Sequence, residues 1–224
     1  MMSTVINLES FKHKLRSFPR NYMRDFDNFW KQKLKSESEE ESILDDKHRK
    51  ETYQKLCHIL TRWQTYRGGK NLSIDRSLRT LEYSLREVKN AYNKIRRCTL
   101  LDFDKIPEEP LKIIWHEFGR VKERGGERNS YGYYYIISVC KPLMLLWGQT
   151  LAFDSHVREN APSKYHIPRR RRWSFEEWRS VMVKFQEDLK QDTEILDFFR
   201  EISRNKYGTN SIIPYGRFLD IYYY

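Results

Sequence analysis

The stretch PLMLLWGQTLAFDSHV, residues Pro142 to Val157, decides how this chain is read. Its apolar first part predicts a helix that ends at Gly148, the residue type best suited to a left-handed helix end. A short turn follows, and Asp154 then stands at the first turn of the next helix, where Asp and Ser both cap well. A lone carboxylate among apolar neighbours, facing a cleft, suits the stabilisation of a developing positive charge.

Working outward, helical periodicity dominates and strand alternation is nearly absent. Phe11, Leu15 and Phe18 mark a first short helix ended by Pro19. Tyr22, Phe26, Phe29, Trp30 and Leu34 mark a second. The acidic stretch Ser36 to Asp46 reads as a loop or a solvated helix start, a linker rather than a site. Leu56, Ile59, Leu60 and Trp63 give the next stripe, closed by Gly68-Gly69. The clearest helix runs from about Ser73 to Arg97, with Leu78, Leu81, Leu85, Val88, Tyr92 and Ile95 on one face. Pro107 and Pro110 bracket another start, before Ile113, Ile114, Phe118 and Val121. Glu127 to Tyr133 reads as a loop opening onto a helix that Tyr134 to Trp147 continue, with Pro142 as a kink. Ser174 to Glu177 has the capping-box pattern, and Phe175, Trp178, Met182, Phe185 and Leu189 line the helix behind it. The tail from Ile212 to Tyr224 fits a short helix or an extended segment. The expected fold is all-α: one domain over 1–224, with or without a division into two helical lobes around a cleft. It has an N-terminal helical part (1–70), a core (71–205) and an aromatic tail (206–224).

The chain has 42 Lys and Arg against 31 Asp and Glu, a formal charge of +11, and 15% aromatic residues. Such a surplus favours a polyanion as partner, through phosphate neutralisation and counterion release. Tyr and Trp stack well on bases, so nucleic acid or another polyanion is the expected partner. The three cysteines, Cys57, Cys98 and Cys140, fit neither a zinc motif nor a disulfide framework, which points to a reducing cytoplasm. No signal peptide is legible, and no apolar run is long enough to span a membrane. From Ser163 to Trp173 there is no acid, and Lys164, Arg169, Arg170, Arg171 and Arg172 make the strongest electrostatic feature, read as a strand-clamping loop.

The pattern of apolar helix, Gly148, short turn and Phe153-Asp154-Ser155-His156-Val157 resembles the catalytic-aspartate segment of the helix-hairpin-helix DNA glycosylase superfamily. The resemblance covers about Asn129 to Asn160 and is firmest over Gly148 to Val157. It implies an all-α fold, a glycine-rich hairpin on DNA phosphate and an extruded base. Here the hairpin reads Arg128-Asn129-Ser130-Tyr131-Gly132, with one glycine rather than two. Members with lyase activity carry a lysine at positions matching Tyr134 to Ile136, and none stands there; Lys141 lies further along the helix. The resemblance therefore implies a monofunctional glycosylase that leaves an abasic site. No four-cysteine cluster follows, so no iron–sulfur centre is expected, nor any other cofactor or metal.

On this reading Asp154 stabilises the sugar cation and orients water. Tyr131, Tyr133, Trp115 and Trp147 are the candidates for holding the base. Ser130, Gly132, Lys164 and Arg169 to Arg172 meet phosphate. His156 is expected to turn away from Asp154. A modified base is the expected target, in DNA repair or in defence against modified viral DNA, and the enzyme is expected to be monomeric. The alternative is a non-catalytic helical nucleic-acid binder, with Asp154 only a cap. A metal-dependent nuclease has little support, because no ligand-spaced Asp/Glu/His cluster is present.

Overall fold

A computed structural model describes residues 6–38, 40–66, 74–123, 132–209 and 211–224. The protein is all-α, as the periodicity predicts. Helices α1 (Leu8–Ser17), α2 (Arg20–Ser36) and α3 (Asp46–Arg62) come first. Next are α4 (Ile74–Glu87), α5 (Lys89–Ile95) and α6 (Glu108–Gly119). Then follow α7 (Ile136–Trp147), α8 (Ser155–Asn160), α9 (Phe175–Gln191), α10 (Thr193–Tyr207) and α11 (Tyr215–Tyr223).

Helix α7 is the axis. It is apolar on nearly every side, and so it must be enclosed; α2, α3 and α6 pack around it. Leu143, Met144, Leu145, Leu146 and Trp147 are all buried. The buried apolar residues form one cluster running from Ile6 to Tyr223, so α1 and α11 share a core with the middle of the chain.

Three differences from the sequence reading have physical causes. The long helix expected over Ser73–Arg97 is broken at Val88, between α4 and α5, although Leu81, Leu85, Val88, Tyr92 and Ile95 are buried as one stripe. The acidic stretch after α2 is a loop, as expected, but part of it is buried rather than solvated. Ser42, Ile43 and Leu44 are buried, and Glu37 takes a 2.6 Å ion pair from the buried Lys33 and a 2.7 Å hydrogen bond from the Tyr92 hydroxyl. Tyr134–Tyr135 does not begin α7 but forms strand β1, antiparallel to β2 (Arg172–Trp173), with Tyr134 opposite Trp173 and Tyr135 opposite Arg172. Gly68-Gly69 and most of the expected hairpin, including Ser130 and Tyr131, lie outside the described residues.

The turn after α7 organises everything around it. Gly148 adopts φ +73° and closes α7 through its N–H to the Met144 carbonyl at 2.8 Å. Gln149 accepts from the Leu100 N–H and donates to the Ile213 carbonyl, both at 2.8 Å. Thr150 accepts from the Trp178 indole at 3.2 Å. The tail is helical, and α11 seats on this turn: the Arg217 N–H reaches the Gly148 carbonyl at 3.2 Å. Gly216 makes that approach feasible, because a Cβ there would fall far inside van der Waals contact with the backbone of Gln149 and Thr150. Backbone cannot swing aside as a side chain can. Gly216→Ala should therefore lower the unfolding free energy by about 3 kcal/mol, measured by urea denaturation.

Candidate functional site

Beside that turn the chain leaves a cleft of about 320 Å³. Phe18, Tyr22, Trp63, Tyr224 and Met144 give it apolar and aromatic walls, and Lys141, Asp154, His156, Arg217 and Asp220 give it charge and polarity. Each wall has a local reason. The Trp63 indole donates to buried Asp25 at 3.2 Å, and its ring meets Tyr22 edge-on at 5.6 Å. Phe18 meets Tyr224 edge-on at 4.9 Å.

Asp154 is the N-cap of α8, and its Oδ1 accepts from the Val157 N–H at 3.1 Å. Only one oxygen is used in this way, and the side chain is half-buried on the cleft wall. The cap and the cleft position are thus compatible. His156 does not turn away as expected: it lines the same cleft, with its ring 4.8 Å from that of Tyr224.

Two of the three non-glycine residues at positive φ among the described residues border the cleft. They are Gln64 (φ 55°), which lines it, and Phe153 (φ 51°), which leads into Asp154. Such conformations cost of order 1 kcal/mol and persist only when the surroundings enforce them. For Phe153 the enforcement is visible. The Ala152 N–H is held by Asp220 at 2.8 Å, the Phe153 carbonyl is held by the Arg158 Nε at 3.1 Å, and the ring is buried against Trp173.

The charges are crowded. Burial pushes the Asp220 carboxyl up to about 6; Arg217 opposes this and Asp154 adds to it. Burial holds the Lys141 ammonium below its ordinary range, while Asp154 and Asp220 pull it back up. Its nearest hydrogen-bond acceptor is the Trp63 carbonyl, at 3.4 Å. Arg217 is buried, donates to Asp220 at 2.8 Å and sits among the rings of Phe18, Phe26 and Trp63. No group of three His, Cys, Asp or Glu able to hold a metal occurs among the described residues.

The sequence-predicted residues divide. Asp154 lies in the cleft. Trp115 and Trp147 do not, and they cannot hold a base: both are fully buried. The Trp115 indole donates to the Gly132 carbonyl at 3.2 Å and stacks on Trp178, while Trp147 donates to the Cys98 carbonyl at 3.0 Å. Tyr133 is 40% exposed but lies just before β1 and does not line the cleft. Gly132 takes φ +66°, a glycine conformation. Lys141, Asp220, Arg217 and the ring walls went unselected. The legible signal was Arg217 and Asp220 at an i,i+3 spacing inside an otherwise apolar tail.

The arginine run splits by parity. Arg170 and Arg172 lie over the rings of Tyr133 (5.5 Å) and Tyr135 (4.2 Å). Arg170 pairs with Glu177, which also completes the Ser174 capping box, and Arg172 pairs with Glu123 at 3.0 Å. Lys164 pairs with Asp188 at 2.5 Å. Arg169 and Arg171 are exposed, and neither side chain has an ion-pair partner among the described residues. Arg158 joins this run to the Asp154 turn: its guanidinium donates to the Arg169 carbonyl at 2.5 Å and to the Asp154 carbonyl at 3.2 Å.

No protein-family model matches the chain, and no curated protein or solved structure matches it either.

Two measurements test this geometry. Arg172→Ala should cost about 1 kcal/mol in urea unfolding, from the lost ring contact and ion pair. Arg169→Ala with Arg171→Ala should leave stability within about 0.5 kcal/mol of the parent. For Asp220, the folded protein keeps the proton up to about pH 6, whereas an unfolded chain releases it near pH 4, about the ordinary Asp value. Its contribution favours the fold below the lower value and is lost as pH rises through the upper one. The unfolding free energy should therefore fall more steeply between these two values in the parent than in Asp220→Asn.

Proposed function

We propose that this protein is a glycosidic-bond hydrolase acting on DNA, with Asp154 as its catalytic residue. The observation that carries the reading is one half-buried carboxylate on the wall of an aromatic-sided cleft, beside a basic ribbon. Cleaving the bond between base and sugar builds positive charge on the sugar, and a carboxylate already held in a low-dielectric cleft stabilises that charge without reorganising. The Val157 N–H engages one oxygen of Asp154 and leaves the other for the sugar or for an attacking water. The extruded base would sit among Tyr22, Trp63 and Tyr224, since Trp115 and Trp147 are sealed in the core. Arg169 and Arg171, which no acid among the described residues pairs with, would meet the phosphates. A modified base, met in repair or in defence against modified viral DNA, remains the preferred target.

A second reading rests on one specific observation. Lys141 shares the cleft with Asp154, and its amine is more easily deprotonated than an ordinary lysine. An amine in that state can replace water as nucleophile at the sugar, giving an imine with the opened sugar and then strand scission.

The test incubates the protein with modified and unmodified DNAs and seeks released bases by mass spectrometry. Asn caps a helix as well as Asp, so Asp154→Asn should fold normally and bind DNA with unchanged affinity. Base release should fall by about two to three orders of magnitude. Equal release by this variant removes Asp154 from the chemistry. Binding without release from any DNA leaves a non-catalytic nucleic-acid binder. Borohydride trapping of DNA on Lys141 distinguishes the amine route from the water route.

A further inference from the structure

The last helix supplies the cleft with a second carboxylate, and its bonds reach the Asp154 turn directly. Asp220 is buried, and both of its oxygens are engaged: Oδ1 accepts the Ala152 N–H at 2.8 Å and Oδ2 accepts Arg217 Nη1 at 2.8 Å. Ala152 lies two residues before Asp154, and between them Phe153 is held at φ 51°. Downstream, the Arg158 Nε takes the carbonyls of Phe153 (3.1 Å) and Asp154 (3.2 Å). The strained residue is therefore clamped on both sides, directly before Asp154 on the cleft wall. A backbone so held relaxes when one clamp is released.

We propose that Asp220 is a positioning residue of the cleft, which pins the turn carrying Asp154 and, together with Asp154, brackets the Lys141 ammonium. It rests on the reading that this cleft is the reaction centre. The charged groups that act on Asp220 are Lys141 on α7, Asp154 on the turn and Arg217 on α11 itself. Tyr22 on α2, His156 on α8 and Tyr224 at the end of α11 line the same cleft. Asp154 and Asp220 each favour the charged form of Lys141, Arg217 opposes it, and Lys122 adds a further positive charge nearby. A neutral side chain at position 220 thus leaves Lys141 with one carboxylate instead of two and makes its amine lose a proton more readily. It also breaks the Arg217 pair, while an Asn can still accept from Ala152.

The experiment needs no substrate. Lys141 is methylated with formaldehyde and cyanoborohydride between pH 6 and 11, and the extent of modification at that residue is read by peptide mass spectrometry. The midpoint should fall by about one pH unit in Asp220→Asn relative to the parent and return in Asp220→Glu. A role confined to packing would not move it. In the parent protein, which needs no variant to fold, hydrogen exchange at the Ala152 amide should be slowed as strongly as in the middle of α7. A folded Asp220→Asn with an unchanged midpoint overturns the proposal, and so does an Ala152 amide that exchanges like an exposed loop. Base release by the parent is scored separately. If it is absent while both readouts behave as expected, the glycosidic reading fails and the pinning of the turn by Asp220 stands.

Discussion

The structure depends on the close seating of α11 against the turn that ends α7. Two glycines make it feasible. Gly148 supplies a left-handed close to the apolar helix, and a Cβ there would meet Pro214 at 2.8 Å as well as the Trp30 ring. Gly216 lets helix backbone lie on turn backbone. The buried Gln149 and Thr150 use their side chains to satisfy the polar groups that this seam takes out of water. Unpaired, each such group would cost about 1–3 kcal/mol. Because the seam holds, Arg217 and Asp220 arrive beside Lys141 and Asp154, and four charged side chains share one small cleft.

Much of the fold was legible because helices write their buried face every three or four residues. The stripe from Leu81 to Ile95, the capping box at Ser174 and the glycine stop at Gly148 all follow from local chemistry. The break at Val88 was not legible, since a stripe of apolar residues crosses a kink without changing its period. Nor was the β1–β2 ribbon, where Tyr134 faces the core through its pairing with Trp173, far along the chain. Two-residue strands carry too little alternation to be seen.

The site was half legible for a similar reason. Asp154 stands out because a cap residue after a glycine stop is a local pattern. The aromatic partners do not, because exposure is decided by packing. Trp115 and Trp147 have the right chemistry for a flat ring but sit at the centre of the core, whereas Tyr22, Trp63 and Tyr224 come to the cleft from three distant segments. The arginine run shows the same limit. Four like charges in a row look equivalent, yet the bend that leads into β2 gives alternate ones different neighbours. Arg170 and Arg172 brace tyrosine rings and acids, while Arg169 and Arg171 face solvent.

The cleft draws its walls from residues near 20, 64, 141, 154 and 220, so almost none of it is made by neighbours in sequence. Closing such long loops comes late in folding, after helices and short-range pairs have formed. A chain in which α11 has not yet docked has its basic ribbon and its Asp154 cap but lacks Arg217, the opposing carboxylate and the Tyr224 ring. The cleft is therefore a property of the finished molecule, and a copy whose last helix is still undocked carries only part of its lining.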